Sequence, residues 1–101
     1  MDSSIYFRFR AAIDGMAVSS EPIQERVAHA FIHLIPLNAD ELPGEIQQDF
    51  TDLYDRLTRV EDAYLGSVLA TARQMNQAEA EEIAHQIVHM LDIVTAKAQA
   101  F

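Results

Sequence analysis

Hydrophobic positions recur at three- and four-residue intervals along most of this chain, the spacing that lines one face of a helix. From Ser4 to Val18, the residues Ile5, Phe9, Ala12, Ile13 and Met16 keep that period and predict a helix over about 4–17, with Gly15 a weak point in it. The opening also alternates, with Ile5, Phe7 and Phe9 against Tyr6, Arg8 and Arg10, but a lone short strand has no partner elsewhere in the sequence. Ser19-Ser20-Glu21-Pro22 reads as a helix start: a Ser N-cap, an acid for the helix dipole, and Pro in the first turn, where its missing N–H costs nothing. The second helix is expected over about 21–35, with Ile23, Val27, Ala30, Phe31 and Leu34 as its core stripe and Pro36 as its stop.

Leu37 to Gly44 is a loop, and a third helix is expected over about 43–58. Its apolar positions Ile46, Phe50, Leu53, Leu57, Val60 and Tyr64 follow a heptad too short for a coiled coil, so they read as packing between antiparallel neighbours. Beyond Tyr64 the phase slips to Val68, Ala72 and Met75 across Gly66. A break between Thr58 and Gly66 is favoured over one continuous helix, which places a fourth helix at about 61–75. Asn76 with Glu79 three residues on forms a capping-box pattern opening the last helix, about 77–98, whose stripe is Ile83, Ile87, Met90, Leu91, Val94 and Ala98. The chain, 1–101, therefore reads as one all-α domain, a small antiparallel bundle of four to five helices.

Charge narrows the function classes. Sixteen acidic against 7 basic residues give a formal charge of −9, which excludes phosphate-neutralising nucleic-acid binding and disfavours an anionic membrane surface. Arg8 and Arg10 among Tyr6, Phe7 and Phe9 are too few cations to reverse that argument. A basic protein partner fits the charge, as does simple solubility. The absence of cysteine removes disulfides, thiolate nucleophiles and Cys-based metal sites. The opening MDSSIYFRFR lacks a signal-peptide pattern, and the apolar stretch Val27–Leu37 is too short to span a bilayer, so a cytoplasmic protein is expected.

All four histidines fall in i, i+4 pairs, His29 with His33 and His85 with His89, the spacing with which two imidazoles on one helix face grip a metal ion. Glu82 precedes His85 by three, as in carboxylate di-metal bundles. On helical wheels, however, His29 and His33 lie roughly 105–145° and His85 and His89 about 160° from the centres of their core stripes, pointing away from the interior. No metal ligand and no cofactor are therefore assigned. No G-x-S-x-G, phosphate loop, Gly-x-Gly-x-x-Gly or H-E-x-x-H occurs, and the carboxylates read as exposed, so no catalytic residue is assigned either.

Two deviations from a plain bundle remain. Eight acids lie between Asp40 and Asp62. Asp49 and Asp52 are taken from them as a contact face on the polar side of the third helix, although acids early in a helix also complement its dipole, and Asp52–Arg56 and Asp55–Arg59 form favourable i, i+4 pairs. The apolar surplus is the other: Ile32 and Ile35 widen the second helix's stripe, Leu65 and Leu69 flank Val68, and Ile93 falls on the polar flank of the last helix. Ile32, Ile93, Asp49 and Asp52 are accordingly the expected partner-binding residues. The resulting expectation is a non-catalytic regulator, adaptor or inhibitor that forms a homodimer and binds another protein. A metal-binding bundle using the paired histidines is the alternative, and a small-ligand or enzymatic bundle the third.

Overall fold

Ser3–Val18 forms helix α1, and its predicted stripe is the one buried: Ile5, Phe9, Ala12 and Met16 face inward. The computed structural model describes residues 3–63 and 66–98, and among them the order is α1, α2 (Ile23–Leu34), a 3-10 turn (Ala39–Glu41), α3 (Gly44–Leu57), α4 (Ser67–Arg73) and α5 (Gln77–Ala98). Among the described residues there is no strand, so the alternation at the start of the chain is resolved as helix.

The chain leaves α1 through a turn in which Ser19 Oγ accepts the Glu21 N–H at 3.1 Å. Pro22, extended at ψ 154°, is the N-cap, so α2 starts two residues later than the Ser-capped start expected at 21. Arg26 fastens this corner, its Nε donating to the Glu21 carbonyl and its Nη1 to that of Met16. Together with the Arg8 bond to the His33 carbonyl at the other end, this lays α2 antiparallel on α1.

α3 stops at Leu57, so the last heptad positions do not continue it. Val60 lies in the following connection, while Tyr64 and Leu65 fall outside the described residues. Two features hold the break. Gly66 takes φ 81°, ψ 152°, a conformation that is nearly glycine-only, and Thr71 Oγ1 accepts the Val60 N–H at 2.9 Å. Helix α4 is consequently shorter than the expected 61–75. At the start of α5, Asn76 Oδ1 accepts the Glu79 N–H at 2.8 Å as its spacing implies, but the Glu79 carboxylate pairs with Arg59 on the far side of the break.

α5 packs on α1, α2 and α3, and α2 packs on α1, α4 and α5. The buried line of α5 is Ile83, Ile87, Met90 and Val94, joined in one core by Val27, Phe31 and Leu34 of α2 and by Ile46, Phe50, Leu53 and Leu57 of α3. Because three neighbours cover α5, more than one stripe of it is shielded. Ile93, expected on an open polar flank, is instead half-buried and packs against the core. The same holds for Leu69 on α4.

Candidate functional site

Few polar side chains enter the interior. Among the described residues the buried polar one is Thr71, whose hydroxyl is bonded to Val60, and no buried side-chain polar atom lacks a partner. Every described His, Asp, Glu, Arg and Lys reaches solvent at least in part. The candidate sites therefore lie on the surface, where three places stand out.

The first is on α2. Ile32 is 50% exposed and Ile35 36%, as their off-stripe positions require. Ile35 sits one turn beyond Phe31, whose ring is in edge contact with that of Tyr54 on α3, itself 41% exposed, at a centroid distance of 6.0 Å. Phe7 on α1, Tyr54 on α3 and Val88 on α5 lie off their helices' stripes and are exposed as well. The expected contact residues are thus divided: Ile32 is open, Ile93 is drawn into the core edge, and Asp49 and Asp52 are exposed on α3.

The second is the seam between α3 and α5. The pairs expected within α3 do not form; Arg56 reaches Glu82 at 3.2 Å and Arg59 reaches Glu79 at 3.1 Å, both on α5, and Lys97 closes the far end on Glu45 at 2.8 Å. The Lys97 hydrogen bond holds the Glu45 carboxyl below the usual carboxylate range, helped by its own backbone N–H. Asp52 accepts from Gln48 at 2.8 Å. Midway along the seam is a groove of about 320 Å³ lined by Asp49, Glu82, His85, Gln86 and His89. It brings one member of the acidic face together with the second histidine pair, a meeting that depends on helix register and so has no signature within either segment.

The third is at the start of α2, where Glu21, Glu25 and His29 bring donor atoms within 4.8 Å of one another. Here a cation is already built in: Arg73 Nε lies 2.7 Å from Glu25 Oε1, tying α4 to α2. His29 Nδ1 stands 3.9 Å from Glu21 Oε1. His33, its i+4 partner, is exposed and takes no part in this group.

The architecture is that of a small all-α helical bundle, and among its described residues no helix is long and apolar enough to cross a membrane. No protein-family model, curated protein or solved structure matches the chain.

Proposed function

We propose that this chain is a non-catalytic interaction protein that pairs with a second copy of itself through the α2 face bearing Ile32 and Ile35, and that it acts as a small regulator, adaptor or inhibitor of another protein. The observation that carries the reading is the exposure of these two large aliphatic side chains, three residues apart on one face of α2. Electrostatics favours a second copy as occupant. Two molecules of charge −9 repel wherever carboxylates face one another, and the stretch from Arg26 to Ala39, which includes the rest of α2, carries no acid. Arg8 lies against the same end of the helix through the His33 carbonyl. A two-fold pairing of this face would set Ile32 and Ile35 against their own counterparts. The non-catalytic part of the proposal draws support from the surface placement of the titratable groups, since acid–base catalysts owe their tuned pKa values largely to burial and close charges. For a further partner, a basic protein surface suits the acids of α3 and α5.

Sedimentation velocity tests the pairing. The wild type should run as a dimer at tens of micromolar, and Ile32→Glu should run as a monomer while keeping its helical circular dichroism. A wild type that stays monomeric at that concentration, or an Ile32→Glu variant that still pairs, refutes the proposed face.

A further inference from the structure

The antiparallel seam between α3 and α5 is closed by acid–base rungs except at its middle. Arg56–Glu82 and Arg59–Glu79 follow one register, which sets Asp49 opposite His89 with His85 one turn away, while Glu45–Lys97 lies one turn off it. This stretch has no Lys or Arg of its own. All seven such residues of the chain are engaged elsewhere: Arg8 and Arg26 on backbone carbonyls, Arg10 on Asp14, Arg73 on Glu25, and Arg56, Arg59 and Lys97 on the seam's outer rungs. Asp49, His85 and His89 make no hydrogen bond or ion pair among the described residues, and they line the groove of about 320 Å³ that opens there.

We propose that this groove binds a divalent transition-metal ion of the Zn²⁺ type, held by His85 and His89 on α5 and by Asp49 across the seam on α3. Imidazoles four apart on a helix can present their nitrogens to one ion. The donor atoms of Asp49, His85 and His89 do not converge as those of Glu21, Glu25 and His29 do, so binding requires these exposed side chains to rotate toward the ion. The carboxylate of Asp49 supplies negative charge and a third ligand, and solvent completes a tetrahedral set. Two nitrogen donors select such an ion over Mg²⁺ or Ca²⁺, which take oxygen ligands. In this position the ion supplies the positive charge that Arg and Lys give the other rungs, and it ties α3 to α5. This site is separate from the Ile32 face and does not depend on the pairing proposed for it. It also differs from the Glu21, Glu25 and His29 group, where Arg73 already provides the cation.

The test is calorimetric titration of untagged, metal-free protein with ZnCl2 near neutral pH, with thermal melts and sedimentation in parallel. One ion per chain should bind, and Tm should rise with free Zn²⁺ because the site exists only in the folded chain. His85→Ala and His89→Ala should each weaken binding by about tenfold or more, since even partners that merely orient a ligand are worth about 10–100-fold. Asp49→Asn should weaken it measurably while leaving the metal-free Tm in place, and His29→Ala should have no effect. Absence of saturable binding, or binding unchanged in the His85→Ala/His89→Ala double variant, overturns the site. Loss of binding in His29→Ala moves the ion to α2 and overturns it as well. Full binding in Asp49→Asn, or Zn²⁺-driven association that requires His85, removes the bridge between α3 and α5.

Discussion

Replacing Ile87 by Ala takes away side-chain volume at the middle of α5, where the isoleucine is fully buried in the shared core. The change deletes about three methylene equivalents, and at about 0.8 kcal/mol each the transfer term comes to about 2.4 kcal/mol. Neighbours from several helices meet at this core, so collapse will be partial; a residual void of about 50 Å³, at about 24 cal/mol per Å³, adds about 1.2 kcal/mol. The expected loss is therefore about 3–4 kcal/mol, against about 5–15 kcal/mol for a typical domain. Ile32→Ala removes the same atoms from a side chain that is half exposed, so the transfer term is roughly halved, no void forms, and the loss stays near or below about 1 kcal/mol. The gain in helix propensity is common to both and cancels in the comparison. Urea unfolding followed by circular dichroism, at a concentration low enough to keep the chain monomeric, measures the difference. With m of about 1–3 kcal/mol/M, the Ile87→Ala midpoint should fall by at least about 1 M. Equal losses at the two positions, or a larger one at Ile32, would refute the packing of α5 described above.

Two glycines should respond to alanine with opposite signs: Gly66→Ala should destabilise by about 1–3 kcal/mol through its backbone conformation alone, since open space surrounds it, whereas Gly15→Ala, inside α1 and equally unobstructed, should stabilise by about 0.5–1 kcal/mol. Thermal melts of both variants decide this, and a stabilising Gly66→Ala would mean that the break before α4 is not built on that residue. The Glu45 carboxyl, held low by Lys97, contributes stability that is present above its unfolded pKa and is lost as pH falls through the lower folded value. An NMR pH titration should show its midpoint moving back up in Lys97→Met, and an unchanged midpoint would remove the ion pair at that end of the seam.

Much of the fold was readable in one dimension because a single stripe per helix carries most of the core. Ile5–Phe9–Ala12–Met16 and Ile46–Phe50–Leu53–Leu57 are buried as their spacing implies, and the break near Gly66 follows from the phase slip at that point. The misreadings have a shared cause. Ile93 and Leu69 lie off their stripes, yet neighbours cover them, since a helix with several contacts is shielded over a wider arc than its own periodicity shows. Arg56 and Arg59 bypass their i, i+4 acids for α5, and Glu79 leaves its capping box for Arg59, because a partner on another helix is absent from any local window. The groove joining Asp49 to His85 and His89 was hidden for the same reason: it exists only once the register of α3 on α5 is set.

With its Lys and Arg all engaged by its own acids and carbonyls, the protein must draw countercharge from its surroundings. The outward field is therefore anionic, and its reach is set by the solvent: about 10 Å at 0.1 M salt and about 30 Å at 0.01 M. The effect belongs to encounter kinetics. A cationic surface is steered in at a rate that climbs as salt is diluted, while a polyanion is turned away before any side chain meets it.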